Sequence, residues 1–403
     1  MNLQRICPAC LSRYPADQVR CADPKHLAPL QRLDATDDPL GLVGSLVDER
    51  YVILSLLGEG AMGSVYRAWQ RTFSREVALK VVDLAEAGPH DRVELGARFL
   101  REVSLLARVD SPHVARILDS AVLPDGNLYY AMERVRGTSL DRVLLTEGRL
   151  APARALSLAP SFFAALAAVH EAGLVHRDIK PGNLMLTRSP DGSEVVKLVD
   201  FGIARPVDEP RLNALTAEFA ILGSFPYMAP EQLVGKRDRP LGPAIDVYGA
   251  GCTLFEMVVG HPPYPGPTAP AWVQQHSSAP IPRLESFLDP DPAVSALDEL
   301  IQRCLAKDPA ARPADGAALL TELERLHASR RPIAPLQGAS SGSPVLLAGA
   351  RDPAALPGIQ AHDVLSRVEQ RPEREPLVTP GRIALSFAVL MGVADVLFAL
   401  VAR

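Results

Sequence analysis

The stretch L-V-H-R-D-I-K-P-G-N-L-M-L occupies residues 174–186 of a chain of 403 residues. It places a His, an Arg, an Asp, a Lys and an Asn between His176 and Asn183, and apolar residues flank them on both sides. In an isolated peptide, a polar turn would explain such a cluster. Its meaning therefore depends on the other charged and glycine-rich segments of the chain and on their spacing.

The overall composition is that of a folded protein. Hydrophobic residues make up 47% of the chain and charged residues 22%, which allows a substantial core. The formal net charge of −5 gives no electrostatic footprint for nucleic acid. The five cysteines form no disulfide framework, and the first thirty residues lack the apolar segment of a secretory signal. We expect a reducing, cytoplasmic environment for the bulk of the chain.

Composition divides the chain into segments. Residues 1–30 are polar and carry three cysteines, and residues 31–48 are expected to form a linker. The region 49–328 alternates apolar runs with turn signals, as a globular domain does. Residues 329–381 are rich in Pro, Ala, Ser and Gly and predict a disordered linker, whereas residues 383–402 form one apolar block.

The globular region begins with strands and continues with helices. Residues 51–69 predict two strands around a glycine cluster, and residues 76–84 predict a third. Helical periodicity follows in five stretches, 92–109, 156–172, 245–259, 295–305 and 314–327. Pro160 conflicts with the second of these, because proline inside a helix costs about 3 kcal/mol. We expect that helix to begin later or to kink.

Gly58, Gly60 and Gly63 spell G-x-G-x-x-G, which alone is a weak signal because dinucleotide-binding folds share it. In those folds a helix follows the glycines, whereas S-V-Y-R-A-W here predicts another strand. A glycine-rich hairpin can lay its backbone N–H groups over phosphates, with Met62 at its tip. Such a site needs a nearby cation, and Lys80 on the next predicted strand supplies one.

Five motifs occur in order: G-E-G-A-M-G, V-A-L-K, H-R-D-I-K-P-G-N, D-F-G and A-P-E. On these motifs, residues 51–326 resemble a bacterial eukaryotic-type (Hanks-type) serine/threonine protein kinase. The resemblance implies an α+β bilobal fold, with a small β-rich N-lobe and a larger helical C-lobe in a domain over 49–328. It also implies transfer of the γ-phosphate of ATP to protein Ser or Thr hydroxyls in signal transduction, with Mg²⁺ as cofactor.

The resemblance assigns the catalytic residues. Asp178 would accept the proton of the substrate hydroxyl, and Lys180 would stabilise the transferring phosphoryl group. Asp200 of D-F-G and Asn183 would each bind a Mg²⁺ ion, because hard cations prefer oxygen ligands.

The ATP-binding residues follow from the same motifs. Lys80 would contact the α- and β-phosphates and form an ion pair with Glu102. Outside this context such a pair would be an ordinary surface pair, worth about 0–1 kcal/mol. Met132 would be the gatekeeper, and the backbone of Glu133 and Val135 would form the hinge. The remaining residues implied around ATP are Leu57, Gly58, Gly60, Gly63, Val65, Ala78 and Met185.

Other positions are implied to hold the scaffold. His176 would be a packed ring rather than a general base, in a hydrophobic spine completed by Leu106, Leu118 and Phe201. Asp246 would hydrogen-bond the backbone of the catalytic loop. Glu231 of A-P-E and Arg312 would form a buried pair, whose loss would cost about 3–5 kcal/mol.

Residues 203–228 would form the activation segment. Thr216 is the first candidate for autophosphorylation, ahead of Ser224, and a phosphate there could pair with Arg177 and order the loop. Ser224 stands where these kinases usually place a Thr that contacts the catalytic Asp and Lys. Serine keeps the hydroxyl that such a contact requires.

The N-terminal C-P-A-C, followed by Cys21, resembles half of a zinc ribbon, a module often placed before bacterial kinases of this kind. Cys7, Cys10 and Cys21 would supply three thiolates, and His26 would complete a Cys₃His zinc site. Asp23 is a weaker candidate for the fourth ligand. The alternative is a leader that binds no metal.

Residues 383–402 have the length of a bilayer core, about 20 residues, and predict a tail anchor. Asp395 opposes insertion by about 2.5–3.5 kcal/mol, which eleven Leu, Ile, Phe and Val residues can outweigh. Three arginines before the segment favour a cytoplasmic location for that flank: Arg371, Arg374 and Arg382. We expect a kinase domain in the cytoplasm, anchored at the inner (cell) membrane. A buried or interfacial helix is the alternative.

Two other functions suit a chain of this type. A pseudokinase typically lacks one of four residues that are all present here, Lys80, Asp178, Asn183 and Asp200. A small-molecule phosphotransferase is disfavoured by the activation segment and the A-P-E motif. We therefore expect ATP and protein substrates as partners, no nucleic acid, and contact with a membrane through the C-terminal segment. A homodimer is compatible with this interpretation.

Overall fold

The computed structural model describes residues 4–60, 63–84, 89–123, 125–201, 224–234, 241–266 and 268–330. Within these ranges, most strands precede residue 134 and most helices follow residue 139, so a β-rich lobe precedes a helical lobe. The predicted bilobal α+β architecture is confirmed. The predicted membrane segment 383–402 and residues 331–381 of the predicted linker 329–381 lie outside the described residues, whereas residues 329–330 continue the last described helix.

The described strands form three antiparallel sheets. Their order is β2-β1-β3 in the first, β4-β5-β6-β7-β9-β8 in the second and β10-β11-β12 in the third. The strands are β1 (Gln4–Ile6), β2 (Arg13–Pro15), β3 (Gln31–Leu33), β4 (Leu46–Val47), β5 (Tyr51–Gly60), β6 (Gly63–Gln70), β7 (Arg75–Val82), β8 (Ile117–Val122), β9 (Leu128–Glu133), β10 (Thr138–Ser139), β11 (Leu184–Arg188) and β12 (Glu194–Leu198). The predicted glycine-rich hairpin is β5–β6, and the predicted third strand is β7.

Both faces of the six-stranded sheet are buried. Side chains alternate along β7, so that Val77, Leu79 and Val81 belong to one apolar cluster while Ala78 and Val82 belong to another. The second cluster is continuous with the core of the helical lobe. The first lies on the opposite, outer face and needs a separate cover.

The N-terminal segment supplies that cover. Ile6, Leu33, Val43 and Val47 are buried in the same cluster as the outer face of the sheet. Residues 31–48 are therefore packed structure that includes β3 and β4, and the prediction of a linker is wrong. The apolar residues of this segment are too sparse to show periodicity, because they fill gaps over a sheet formed by residues farther along the chain.

Hydrogen bonds fasten the same segment to β5 and β6. The Asp34 N–H donates to the Leu54 carbonyl at 2.9 Å, and Arg67 Nη2 donates to the Arg32 carbonyl at 2.7 Å. These contacts join the three-stranded N-terminal sheet to the two strands that carry the glycine-rich turn.

The described helices are α1 (Pro89–Leu106), α2 (Leu140–Glu147), α3 (Pro152–Glu171), α4 (Pro230–Val234), α5 (Ala244–Val259), α6 (Ala269–Ser278), α7 (Pro292–Cys304) and α8 (Gly316–Arg330). The five predicted helices correspond to α1, α3, α5, α7 and α8, whereas α2, α4 and α6 are too short to show a clear period. Helix α7 begins before its predicted start because Asp291 caps it, accepting the Ala293 N–H at 2.7 Å.

Helix α3 begins earlier than predicted and contains Pro160 in its interior. Proline removes the hydrogen bond that the Leu156 carbonyl would otherwise accept. The Pro160 ring is exposed and Leu156 is half-buried, so water can reach this side of the helix. The expectation of a later start is wrong, because Pro152 occupies the first turn, where proline is favourable.

Helix α3 is also, among the described residues, the one helix long and apolar enough to cross a membrane. Half of it is buried within the protein, and its side chains belong to the core of the helical lobe. Its apolar character is therefore that of a core helix.

The hydrophobic spine differs by one residue from the prediction. Ile117 on β8 shares the inner core with Leu106 and Phe201, whereas Leu118 packs against the outer cluster. Successive residues of a strand face opposite sides, so a shift of one position exchanges the faces. The register of β8 against β9 is also irregular between Ile117 and Asp119, which sequence spacing does not reveal.

Candidate active site

A buried carboxylate fixes the loop between α3 and β11. Asp246 on α5 accepts hydrogen bonds from the backbone N–H groups of His176 and Arg177, both at 2.7 Å. Arg177 has a φ of 67°, a left-handed conformation that a non-glycine residue keeps only when its surroundings hold it. Asp246 thus makes the backbone contact predicted for it.

His170, which belongs to none of the sequence motifs, supports this contact. Its Nε2 lies 2.9 Å from Asp246 Oδ2, and its Nδ1 accepts the Gly316 N–H at 3.0 Å. The imidazole therefore connects α3, α5 and the start of α8. The sequence offers only a weak signal for this role, a histidine in the last turn of an apolar helix.

Asp178, Lys180 and Asn183 meet at the end of this loop. Lys180 Nζ lies 3.1 Å from Asp178 Oδ2, and Asn183 Nδ2 lies 3.2 Å from the same oxygen. Asn183 Nδ2 also donates to the Asp178 carbonyl at 2.7 Å, which leaves its Oδ1 as an oxygen donor. The three side chains form one polar cluster.

Ser224 joins this cluster from the other side. Its Oγ accepts a hydrogen bond from Lys180 Nζ at 3.0 Å, the contact expected of the residue at this position. Ser224 is only 4% exposed, so its hydroxyl is not accessible for phosphorylation in this arrangement. The other candidate phosphosite, Thr216, lies outside the described residues, as does most of the segment 203–228.

Lys80 pairs with Asp200 and not with Glu102. Lys80 Nζ contacts Asp200 Oδ1, whereas Glu102 pairs with Arg98 at 3.4 Å and with Arg177 at 3.3 Å. The predicted Lys80–Glu102 pair is therefore wrong for this structure. Two guanidinium groups already neutralise the Glu102 carboxylate, so Lys80 is left to the carboxylate of Asp200.

The predicted adenine-binding residues come from five strands and the segment after β9. Ala78 and Met132 are cross-strand partners on β7 and β9, and both are buried. The carboxylate of Glu133 is bound by Lys197 at 2.7 Å, and the Glu133 N–H donates to the Arg116 carbonyl at 2.8 Å. Leu57 is 45% exposed beside the glycines, so its side chain offers apolar surface. The other members are Val65, Val135 and Met185, all half-buried.

The three glycines of the β5–β6 turn serve different purposes. Gly63 has a φ of 121°, and a Cβ there would lie 1.9 Å from the Val81 carbonyl oxygen. No atom lies within 4 Å of a Cβ built on Gly58, and only the Gly63 carbonyl, at 3.9 Å, approaches one on Gly60. The fold therefore requires glycine at Gly63, whereas Gly58 and Gly60 leave space for a ligand above the backbone.

His176 is a packed ring. It is 1% exposed, and its ring centroid lies 4.7 Å from that of Phe201. Its Nδ1 accepts the Asp178 N–H at 3.3 Å. Burial lowers the pKa of His176, so the ring is neutral at physiological pH. This arrangement agrees with the structural role predicted for it.

Glu231 and Arg312 form a two-point ion pair. Arg312 Nη1 and Nη2 donate to the two carboxylate oxygens of Glu231 at 2.6 and 3.0 Å. The Arg312 side chain is fully buried and also binds the backbone carbonyls of Ala244, Ala306 and Lys307. The pair fastens α4 to α5 and to the turn before α8.

Comparison with known proteins decides the family. The family model of the protein kinase domain matches residues 51–323. This chain belongs to the protein kinase family.

Similar proteins come from several bacteria. The serine/threonine-protein kinase PkaA of Streptomyces coelicolor is 39% identical over 329 residues, which are 77% of this chain and 56% of the relative. The kinase pkn3 of Myxococcus xanthus is 34% identical, over 81% of this chain and 59% of the relative. The chain thus spans little more than half the length of these two relatives. The kinase domain of Mycobacterium tuberculosis PknI matches with a TM-score of 0.50 and 27% identity, covering 69% of this chain and 95% of that domain.

A second cluster of candidate ligands precedes the kinase domain. Cys7, Cys10, Cys21 and His26 each offer one ligand atom, and these four atoms lie within 4.8 Å of one another. Cys10 Sγ and Cys21 Sγ are 3.7 Å apart, and His26 Nδ1 is 3.3 Å from Cys21 Sγ. The structure therefore gathers the whole set predicted from the sequence.

Asp23 lies beside this cluster and outside the ligand set. Its Oδ2 is 3.8 Å from His26 Nε2, the ring nitrogen opposite the cysteines, and its Oδ1 accepts the Lys25 N–H at 2.9 Å. A carboxylate on the far nitrogen of a ligating histidine orients the ring. A hydrogen bond with Ser12 lowers the pKa of Cys10 and one with Tyr14 lowers the pKa of Cys21, whereas burial raises the pKa of Cys7.

The two kinds of glycine in the kinase domain give a testable difference. We expect Gly63→Ala to destabilise the protein by about 1–3 kcal/mol, because it combines a strained φ with a backbone clash. We expect Gly58→Ala to leave the unfolding temperature nearly unchanged and to weaken ATP binding, since its methyl group projects into the ligand space. Thermal unfolding and calorimetric ATP titration measure the two effects. Equal stability of the two variants would contradict this assignment.

Proposed function

We propose that the chain is a serine/threonine-protein kinase that transfers the γ-phosphate of ATP to hydroxyl groups of proteins. The convergence of two groups of side chains carries this proposal. One group is the polar cluster of Asp178, Lys180 and Asn183. The other is the ion pair between Lys80, on strand β7 of the N-lobe, and Asp200. All four residues whose loss would mark a pseudokinase are thus present. Asp178 contacts Asn183, and Lys80 contacts Asp200.

In the proposed reaction, Asp178 accepts the proton of the substrate hydroxyl and aligns its oxygen with the γ-phosphorus. Lys180 lies 3.1 Å from Asp178, so its charge is available to the phosphoryl group during transfer. The Lys180–Ser224 hydrogen bond holds that ammonium group in place. The sequence D-x-K at residues 178–180 is typical of Ser/Thr kinases. This pattern supports Ser and Thr as the acceptor residues.

Magnesium suits the oxygen donors present. Asn183 Oδ1 and the Asp200 carboxylate would hold Mg²⁺, since both are hard oxygen ligands. When bound, the metal neutralises charge on the phosphates. Lys80 would then leave Asp200 and bind a phosphate oxygen. The absence of side chains at Gly58 and Gly60 would allow the phosphates to approach the β5–β6 backbone.

The ion pair between Glu102 and Arg177 supports regulation by autophosphorylation. While Arg177 holds Glu102, the pair between Glu102 and Lys80 is not made. A phosphate on Thr216 would compete for Arg177 and release Glu102 towards Lys80. We favour Thr216 over Ser224 as the phosphosite, because the Ser224 hydroxyl is buried and engaged.

The catalytic assignment predicts the effect of removing one charge. We expect Asp178→Asn in the full chain to lower transfer of radiolabelled phosphate from ATP at least about a hundredfold, because general-base catalysis contributes this much. Asp110→Asn is the matched control, since its carboxylate is 87% exposed and forms a surface ion pair with Arg116. Equal labelling by wild type and Asp178→Asn would refute the assignment.

We further propose that the N-terminal cysteines and His26 bind zinc as a Cys₃His site. Three thiolates and an imidazole at these separations are a common set for structural zinc. The placement of Asp23 beyond His26 supports the same set. Because Ile6 and Leu33 beside this site belong to the outer core of the N-lobe, metal binding would also stabilise the kinase domain.

Zinc analysis of the purified full chain tests this site. We expect one zinc per wild-type chain and a loss of zinc, with a lower unfolding temperature, in Cys10→Ser and Cys21→Ser. Cys252→Ser is the control, because this thiol is buried in the C-lobe, far in sequence from the cluster. A wild-type protein free of zinc, or ligand variants that retain it, would contradict the proposal.

For localisation, we propose attachment to the inner membrane through residues 383–402, with the kinase domain in the cytoplasm. The apolar length of this segment and the arginines before it support the proposal.

Membrane fractionation tests the anchor. We expect the full chain to remain in the membrane pellet after washing with high salt, and a chain lacking 383–403 to move to the soluble fraction, because the apolar segment supplies the affinity. A variant in which residues 383–403 are replaced by a glycine-rich polar segment of the same length is the control for chain length. Retention of the truncated chain in the pellet would rule the anchor out.

A further inference from the structure

A tyrosine lies inside the nucleotide-binding region at a position that none of the five motifs specifies. Tyr130 on β9 is the cross-strand partner of Lys80 on β7. It is 1% exposed, and its ring packs against Phe99 of α1 with a centroid separation of 6.0 Å. Packing on the inner face of the sheet and against a helix leaves the ring little freedom.

The Tyr130 hydroxyl reaches the proposed metal ligand. It donates to Asp200 Oδ1 at 3.3 Å, the same oxygen that Lys80 contacts. Both of these contacts are to Oδ1, and among the described residues no side chain donates a hydrogen bond to the second oxygen, Oδ2.

Asp200 needs such support from outside its own backbone. Its φ is 52°, in the left-handed region that non-glycine residues other than Asn, Asp and His rarely adopt, and the direction of its carboxylate is set by the side chains that bind it. Lys80 is one support, yet Lys80 must also serve the phosphates in the proposed reaction. A second donor on Oδ1 would keep the carboxylate orientation when the ammonium group moves.

We propose that Tyr130 is a positioning residue for Asp200, whose hydroxyl binds Oδ1 and so directs Oδ2 to the catalytic Mg²⁺. The inference rests on the proposed kinase function, in which Asp200 is a metal ligand. It assigns Tyr130 no contact with ATP or with the protein substrate. Loss of the Tyr130 hydroxyl should therefore change the Mg²⁺ concentration that the reaction requires and leave the KM for ATP at saturating Mg²⁺ unchanged.

The neighbouring residue provides a matched control. Tyr129 is on the same strand, is also fully buried, and faces the outer side of the sheet. Its hydroxyl accepts a hydrogen bond from Arg50 Nη2 at 2.8 Å and donates to Asp48. Tyr129→Phe thus removes a buried, hydrogen-bonded hydroxyl from β9 without touching Asp200.

The experiment compares wild type, Tyr130→Phe and Tyr129→Phe as full-length proteins, with Mg²⁺ titrated at fixed ATP. We expect the half-saturating Mg²⁺ concentration to rise about tenfold in Tyr130→Phe, the effect of losing one hydrogen bond to an ionised group. The KM for ATP at saturating Mg²⁺ should stay within about twofold of wild type, and Tyr129→Phe should match wild type in its Mg²⁺ response. An unchanged Mg²⁺ response in Tyr130→Phe would overturn the proposal, as would an equal shift in Tyr129→Phe.

Two further measurements keep the test decisive. Tyr130→Leu removes the same donor with an aliphatic side chain, so the result does not depend on how the core accepts phenylalanine. Calorimetric titration of ATP into the same proteins, with and without Mg²⁺, needs no phosphate transfer. If wild type transfers no phosphate, the proposed function fails, while a Mg²⁺ dependence of ATP binding that Tyr130→Phe weakens would still support the role of Tyr130.

Discussion

The active site depends on one buried carboxylate. Asp246 binds the backbone of His176 and Arg177 and accepts a third contact from His170. These bonds hold Arg177 in a left-handed conformation, which sets the direction in which the next residue, Asp178, leaves the loop. A buried carboxylate is stable only when its oxygens accept hydrogen bonds, and Asp246 has three such contacts. The bonds can form only when α3, α5 and the loop are all folded. Helices α3 and α5 thereby position the catalytic loop.

The N-lobe is built on a different constraint, a sheet that is apolar on both faces. Its inner face packs on the core shared with the C-lobe, and its outer face is covered by residues that precede the kinase domain match. Ile6, Leu33, Val43 and Val47 complete this outer core. The segment before residue 51 is consequently part of the same packed lobe, and a metal at its cysteines would act on the sheet that carries the glycine-rich turn.

Sequence motifs were sufficient for the fold and for the proximity of Asp178, Lys180 and Asn183, because each motif combines a chemical group with a fixed local conformation. They predicted the ion pair between Glu231 and Arg312 but not the partner of Glu102, since the pairing of Glu102 with Arg177 depends on the placement of α1 relative to a distant loop. They also missed the burial of residues 31–48 and the exchange of Leu118 for Ile117, because both depend on which face of a strand meets its neighbour. Strand alternation does predict the orientation of Tyr130, because a residue two positions before Met132 faces the same side of β9.

The structure therefore joins the residues proposed to carry phosphate transfer to an ion-pair pattern in which Lys80 is held by Asp200 and Glu102 by Arg177. In the proposed reaction, binding of nucleotide and metal would rearrange the first of these pairs. A crystal structure of the full chain with Mg²⁺ and a non-hydrolysable ATP analogue tests this account most directly. We expect metal on Asp200 and Asn183, with Lys80 Nζ moved from Asp200 to a phosphate oxygen. Phosphates bound away from these side chains, or an intact Lys80–Asp200 pair beside bound nucleotide, would contradict it.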